Sequence, residues 1–151
     1  MKKKMVLTGI LIFLFLFGMF AKRERTLEEV LDISEEKVWK CTVEEVYNNG
    51  IQWEYKNVGI EDVEEIKDIL HLLEETTVSF QTWTWSSDLN EGEYCYDLLI
   101  FDGSKHGIRF MENGEIQVLN MGHWVFEVSG EDKQECADTM EEIMQEYEVE
   151  F

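Results

Sequence analysis

The sequence predicts an α+β fold: an antiparallel sheet of hairpins with two main helices on one face, preceded by one N-terminal transmembrane helix. Three observations carry this. Several short segments alternate apolar and polar residues, the period of a half-buried strand. Asn49–Gly50 and Asn113–Gly114 sit between such segments, and Asn–Gly is a strong short-range hairpin signal. Two longer segments repeat apolar residues at helical spacing.

The start of the chain has a different character. Met1–Arg25 holds six basic residues (Lys2, Lys3, Lys4, Lys22, Arg23, Arg25), one acid, Glu24, and an uncharged run, Met5–Ala21. That run is 17 residues long. As a helix it would extend about 25 Å, the short end of what a bilayer needs. It exceeds the ~7–15 residues of a usual signal-peptide core. Bulky Met19 also spoils a cleavage site after Ala21, and no Cys follows for lipidation. A retained signal-anchor is therefore expected rather than a cleaved signal. Lys2–Lys4 and the amino terminus outweigh Lys22, Arg23 and Arg25 slightly. The positive-inside rule then places the domain outside the cell membrane. A buried core helix is the poorer reading, because Met5–Ala21 has no polar face.

Residues 26–151 read as a single acidic domain. Of the chain's 13 Lys+Arg and 33 Asp+Glu, six and one lie in the leader. This leaves 7 and 32, a net charge of −25 for Thr26–Phe151. All five Trp, all five Tyr and five of the nine Phe also lie there, enough to fill a core, so disorder is not expected. There is no Pro, no Ser/Gly-rich linker and no repeat, and Lys22–Asp32 is the only tether. The charge excludes nucleic acid as a partner, since its binding proteins need Lys and Arg to displace counterions. It also disfavours an anionic lipid surface under the domain. It permits a basic protein or peptide, and solubility alone also accounts for it.

The elements follow in order. Thr26–Ile33 reads as a short helix with a capping box, Thr26 and Glu29. Val38–Tyr47 reads as a strand with Trp39, Cys41 and Val43 on one face. Asn48–Asn49–Gly50 turns into Ile51–Lys56, where Ile51, Trp53 and Tyr55 alternate with polar residues. Glu61–Glu75 is the clearest helix, its stripe formed by Val63, Ile66, Ile69, Leu70 and Leu73, with Asp62 and Glu65 as a capping box. In Val78–Trp85 the alternation changes phase between Val78/Phe80 and Trp83/Trp85, and a bulge near Gln81–Thr82 would reconcile the two.

Ser86–Glu93 is a polar loop. Tyr94–Phe101 is the most apolar strand and should be central. Asp102–Lys105 turns into His106–Met111, Asn113–Gly114 leads to Ile116–Met121, and Gly122 precedes His123–Val128. Ser129 and Asp132 open a last helix running to about Tyr147, with the stripe Cys136, Met140, Ile143, Met144 and Tyr147. The expected order is α-β-β-α-β-β-β-β-β-α.

No HExxH, GxSxG, P-loop or dinucleotide-binding pattern is present, so no enzyme activity and no cofactor are expected. Cys41, Cys95 and Cys136 lie among apolar neighbours. Three buried thiols are favoured over one disulfide with a free thiol, and no zinc spacing occurs, so no metal site is expected. His71, His106 and His123 have no partner at triad or metal spacing. The nearest functional reading joins one of them to Asp97 or Asp102 as a general base, against a structural role. Trp83 and Trp85, with Trp124, would make an aromatic platform for a sugar or peptide if they stay outside the core; filling the core is the favoured alternative. Arg109, the only Arg beyond the leader, could hold a carboxylate ligand, with an ion pair to a nearby acid as the favoured use. Trp83, Trp85, Trp124 and Arg109 are the candidate contact residues.

One resemblance adds to this. Within Ile60–Val128, the helix Glu61–Asp62–Val63–Glu64–Glu65–Ile66–Lys67–Asp68–Ile69–Leu70 is followed by Tyr94–Cys95–Tyr96–Asp97–Leu98–Leu99–Ile100. Gly107–Ile108–Arg109–Phe110 and Trp124–Val125–Phe126–Glu127–Val128 come after. This layout resembles small uncharacterised domains found behind signal or anchor segments in Gram-positive bacteria. The resemblance implies an extracytoplasmic α+β domain and no particular chemistry. Two functions are expected from the whole: a membrane-anchored, non-enzymatic binding or accessory domain, or an immunity- or inhibitor-type protein that neutralises a cationic toxin or enzyme.

Overall fold

A computed structural model describes residues 2–21, 23–84, 89–119, 123–128 and 135–146. The chain forms α1 (Lys2–Ala21), β1 (Arg25–Thr26), α2 (Leu27–Leu31) and a 3-10 turn (Glu35–Lys37). Then come β2 (Lys40–Asn48), β3 (Trp53–Ile60), α3 (Val63–Glu75), β4 (Thr77–Thr84) and β5 (Tyr94–Phe101). β6 (Lys105–Met111), β7 (Glu115–Val118), β8 (His123–Val128) and α4 (Glu135–Glu146) complete it. The fold is α+β, with one eight-stranded sheet in the order β1-β4-β8-β7-β6-β5-β2-β3. Every neighbouring pair is antiparallel.

The sheet faces follow from cross-strand register. Cys41, Val43, Leu98, Ile100, Ile108, Phe110, Ile116, Phe126 and Val128 share one face. They form a single core with Leu27 and Leu31 of α2, Ile66, Ile69, Leu70 and Leu73 of α3, and Cys136, Met140 and Met144 of α4. The three helices of the domain thus lie on the same side. Thr26 closes a capping box with Glu29 at the start of α2, and Asp62 accepts from the Glu64 and Glu65 amides at the start of α3.

The phase change in β4 is resolved as the sequence predicts. Pairing with β8 passes from Phe80↔Phe126 to Thr82↔Val125, so Gln81 is an inserted bulge residue. The bulge returns Trp83 to the face of Phe80, opposite Trp124.

Several expectations need correction. The β2–β3 connection is longer than a tight turn. Asn48 pairs with Trp53, the Asn48 and Asn49 side chains accept amides of Gly50, Ile51 and Gln52, and Gly50 takes φ +84. Ile51 is therefore at the hairpin tip, 93% exposed, not in a strand. Tyr55 is exposed too, because it lies on the edge strand β3, on the sheet face away from the helices, with no further strand beside it among the described residues. Trp39 precedes β2 and lies outside the core, 59% exposed, with its ring 5.9 Å from that of Phe101. Val63 opens α3 on its solvent side and is exposed. β7 stops at Val118, and the two-residue strand β1 had no signal in the sequence. Ser129, Asp132 and Tyr147, read as the ends of the last helix, lie outside the described residues.

α1 has 20 residues, but its first turn carries Lys2, Lys3 and Lys4. Among the described residues, no helix is long and apolar enough to cross a membrane.

Phe110 is 2% exposed, on a central strand beneath the helix layer. Phe110→Ala should cost about 3–5 kcal/mol through lost burial and a cavity. Urea denaturation of both proteins would show the lowered midpoint.

Candidate functional site

Arg109 and Asp97 are direct partners across β5 and β6, on the sheet face away from the helices. Arg109 donates from Nε to Asp97 Oδ1 and from Nη2 to Oδ2, both at 2.7 Å. Their side chains are only 8% and 9% exposed. Burial works against the Arg109 charge, but the hydrogen bonds and charge of Asp97 overcome it and raise the Arg109 pKa. The fork-to-carboxylate geometry is the strongest form of this pair.

Its surroundings are only partly polar. The Cys95 thiol lies 3.8 Å from Asp97 Oδ1, and burial pushes that thiol up to about 12. Gln117 stands opposite Arg109 on β7. Its Nε2 donates to Glu115 at 3.2 Å, while its Oε1 is buried with no hydrogen-bond partner among the described residues. Val46, Cys95 and Leu89 form a small second core beside the pair. Leu89 is held there by its carbonyl, which accepts from Asn48 Nδ2 at 2.7 Å. Arg109 is therefore committed to Asp97 in the body of the sheet, the use that its sequence context favoured.

The tryptophans are arranged differently. Trp83 and Trp124 are cross-strand partners, 40% and 41% exposed. They do not fill the core, contrary to the favoured expectation. α4 packs over β2, β5 and β6, away from this pair. The Trp124 ring is backed by Phe80 at a centroid distance of 5.3 Å. Trp85 lies outside the described residues.

Of the histidines, His106 does join an acid. Its Nε2 lies 3.0 Å from Asp102 Oδ1, and both side chains are nearly buried. Asp102 also accepts from the Ser34 amide at 2.8 Å and the Ser104 amide at 3.0 Å. Those backbone hydrogen bonds, then His106, lower Asp102 to about 2. The link ties the segment before β2 to the β5–β6 turn, which is a structural task. His71 sits exposed on α3, 3.6 Å from Glu74 and 3.4 Å from Glu75.

All three cysteines are buried thiols outside any disulfide, and the Cys136 Sγ lies 3.3 Å from Thr76 Oγ1. The described residues contain no group of three or more His, Cys, Asp or Glu side chains placed to hold a metal. The Asp97–Arg109 pair and the Asp102–Ser34 tie were the features that sequence alone did not resolve. Both depend on register and turn geometry rather than on spacing along the chain.

The chain matches no family model, no curated protein and no solved structure.

Asp97→Ala, which removes the carboxylate from beside the buried Arg109 guanidinium, should destabilise the fold by about 3–5 kcal/mol. The double variant Asp97→Leu/Arg109→Met should recover most of that loss. Denaturation of the three proteins would decide it, and equal losses would mean that the pair is not coupled. Asp102 gives a pH signature. Its lowered pKa contributes stability that is present above about pH 4, the ordinary carboxylate range, and is lost as pH falls toward 2. Asp102→Asn should flatten that part of the acid-denaturation curve.

Proposed function

We propose that the protein is a membrane-anchored, extracytoplasmic binding or accessory domain without enzymatic activity. The observation that carries this is the free margin of the sheet. β3 is an eight-residue edge strand. Glu54, Tyr55, Lys56 and Asn57 are all exposed along it. Among the described residues no strand pairs with its outer side. Such an edge offers backbone donors and acceptors to an extended peptide, with side chains for selectivity. Met5–Ala21 would hold the domain at the membrane, its short length met by local bilayer thinning. The resemblance of its layout to anchored domains of Gram-positive bacteria supports that location.

The immunity- or inhibitor-type reading has an observation of its own. Acids of the helix layer crowd one another. Burial, a hydrogen bond to Glu35 and the charges of Glu35, Glu74 and Glu29 raise the Glu28 pKa. Partial burial and the charges of Asp62, Glu146 and Asp68 raise that of Glu65. A surface of this kind would steer a basic protein at rates that fall with salt.

The anchored reading is tested on full-length protein with a C-terminal tag. The tag should stay with the membrane fraction through carbonate washing and be lost when intact cells are treated with protease. A tag protected in the membrane would place the domain inside. A tag in the medium would mean a cleaved leader.

A further inference from the structure

We propose that Trp83 and Trp124 seat the domain on the bilayer that holds α1, with their rings in the headgroup layer; this rests on α1 being the membrane anchor. The occupant of the aromatic pair is then lipid rather than a sugar or peptide.

Topology brings the anchor to these residues. β1 pairs with β4 as Arg25↔Val78 and Thr26↔Thr77. The pairing is antiparallel, so the chain before β1 is directed toward the Thr84 end of β4, and α1 touches β4. Trp83 and Trp124 are at that end, side by side. The Gln81 bulge is what sets both on one face. Each keeps about two-fifths of its surface exposed, with Phe80 behind Trp124. A ring with an apolar body and one N–H tip is the side chain enriched at the membrane–water boundary.

Charge permits the contact in this place. The domain as a whole is acidic, but β4 has no Asp or Glu. The only acid of β8, Glu127, falls on the opposite sheet face from Trp124. Arg23 and Glu24 lie between α1 and the sheet, and Arg25 opens β1, so the described junction carries two cations and one acid. Trp39 is also exposed, but it lies before β2, five strand steps from β4. A twist of roughly 20–25° per strand turns it out of the plane of the pair.

The leader contains no Trp, so any quenching of Trp emission by a lipid-borne group reports on the domain. The experiment uses full-length protein reconstituted in phosphatidylcholine vesicles. The lipids carry bromine either at shallow acyl positions or near the bilayer centre. Carbonate extraction is run on the same sample. Wild-type emission should be quenched by the shallow lipid and far less by the deep one. Trp83→Phe/Trp124→Phe should lose most of that quenching, whereas Trp39→Phe should keep it. Carbonate-resistant protein without shallow quenching would overturn the docking and leave the anchor standing. The same result follows if the Trp39 variant alone loses the signal. Protein released by carbonate would overturn the anchor reading, and the docking with it. The wild-type depth comparison needs no variant, so a misfolded double variant would not blunt the test.

Discussion

The burial of one sheet face under α2, α3 and α4 is the constraint from which the rest follows. Leu98, Ile100, Ile108 and Phe110 occupy that face on the two strands β5 and β6. A strand slipped by one residue would exchange these for Asp97, Leu99, Gly107 and Arg109. An ion pair would then lie under the helices and four large apolar side chains would lie outside. The register is thus specified twice, by what enters the core and by what cannot. Packing of this kind also fixes the bulge. Phe80 and Val78 already belong to the core face, so only an inserted residue lets Trp83 join them.

The opposite face answers a different problem. It carries the buried pair Asp97–Arg109 among Val46, Cys95 and Leu89. A charge in such surroundings is tolerable only with its partner in good geometry. Direct register neighbours supply that geometry without bending either strand, since both side chains leave the sheet in parallel. The cost is that Arg109 is no longer a ready hook for a carboxylate ligand. Asp102 shows the same economy at a turn. Two backbone amides and one imidazole converge on it, and the acid that results is held ionised well below the usual range.

Much of this was legible in the sequence where local pattern and tertiary demand agree. The helix stripe Ile66–Ile69–Leu70–Leu73, the Thr26 capping box, the Asn113–Gly114 turn and the Gln81 bulge are all local signals. Each has one structural solution. The alternation Ile51–Trp53–Tyr55 misled because alternation reports which residues could share a face, not whether anything covers it. Edge position, set by the order of strands, left Tyr55 in water. Trp39 and Val63 misled for the same reason at element ends, where the phase of the pattern is not yet bound to the core. For the candidate site, sequence could name Arg109 but not Asp97 as its partner. That pairing exists only once β5 and β6 are in register.

The acidity of the domain is best understood through where its charges cannot go. Among the described residues, the sheet buries one carboxylate, Asp97, held by the Arg109 guanidinium, so the helix layer carries much of the excess. There Glu28 and Glu65 sit among other acids and hold their protons more tightly than isolated carboxylates. For an acid, a raised folded-state pKa means repulsion present above it and relieved as pH falls. Asp102 has the opposite sign. The acid side of the stability curve is therefore a contest between surface repulsion being released and a turn being lost. Salt acts on the first far more than on the second, because the helix acids face solvent while Asp102 is enclosed by its donors. The same separation leaves β4 without acids. That is the strand which α1 reaches.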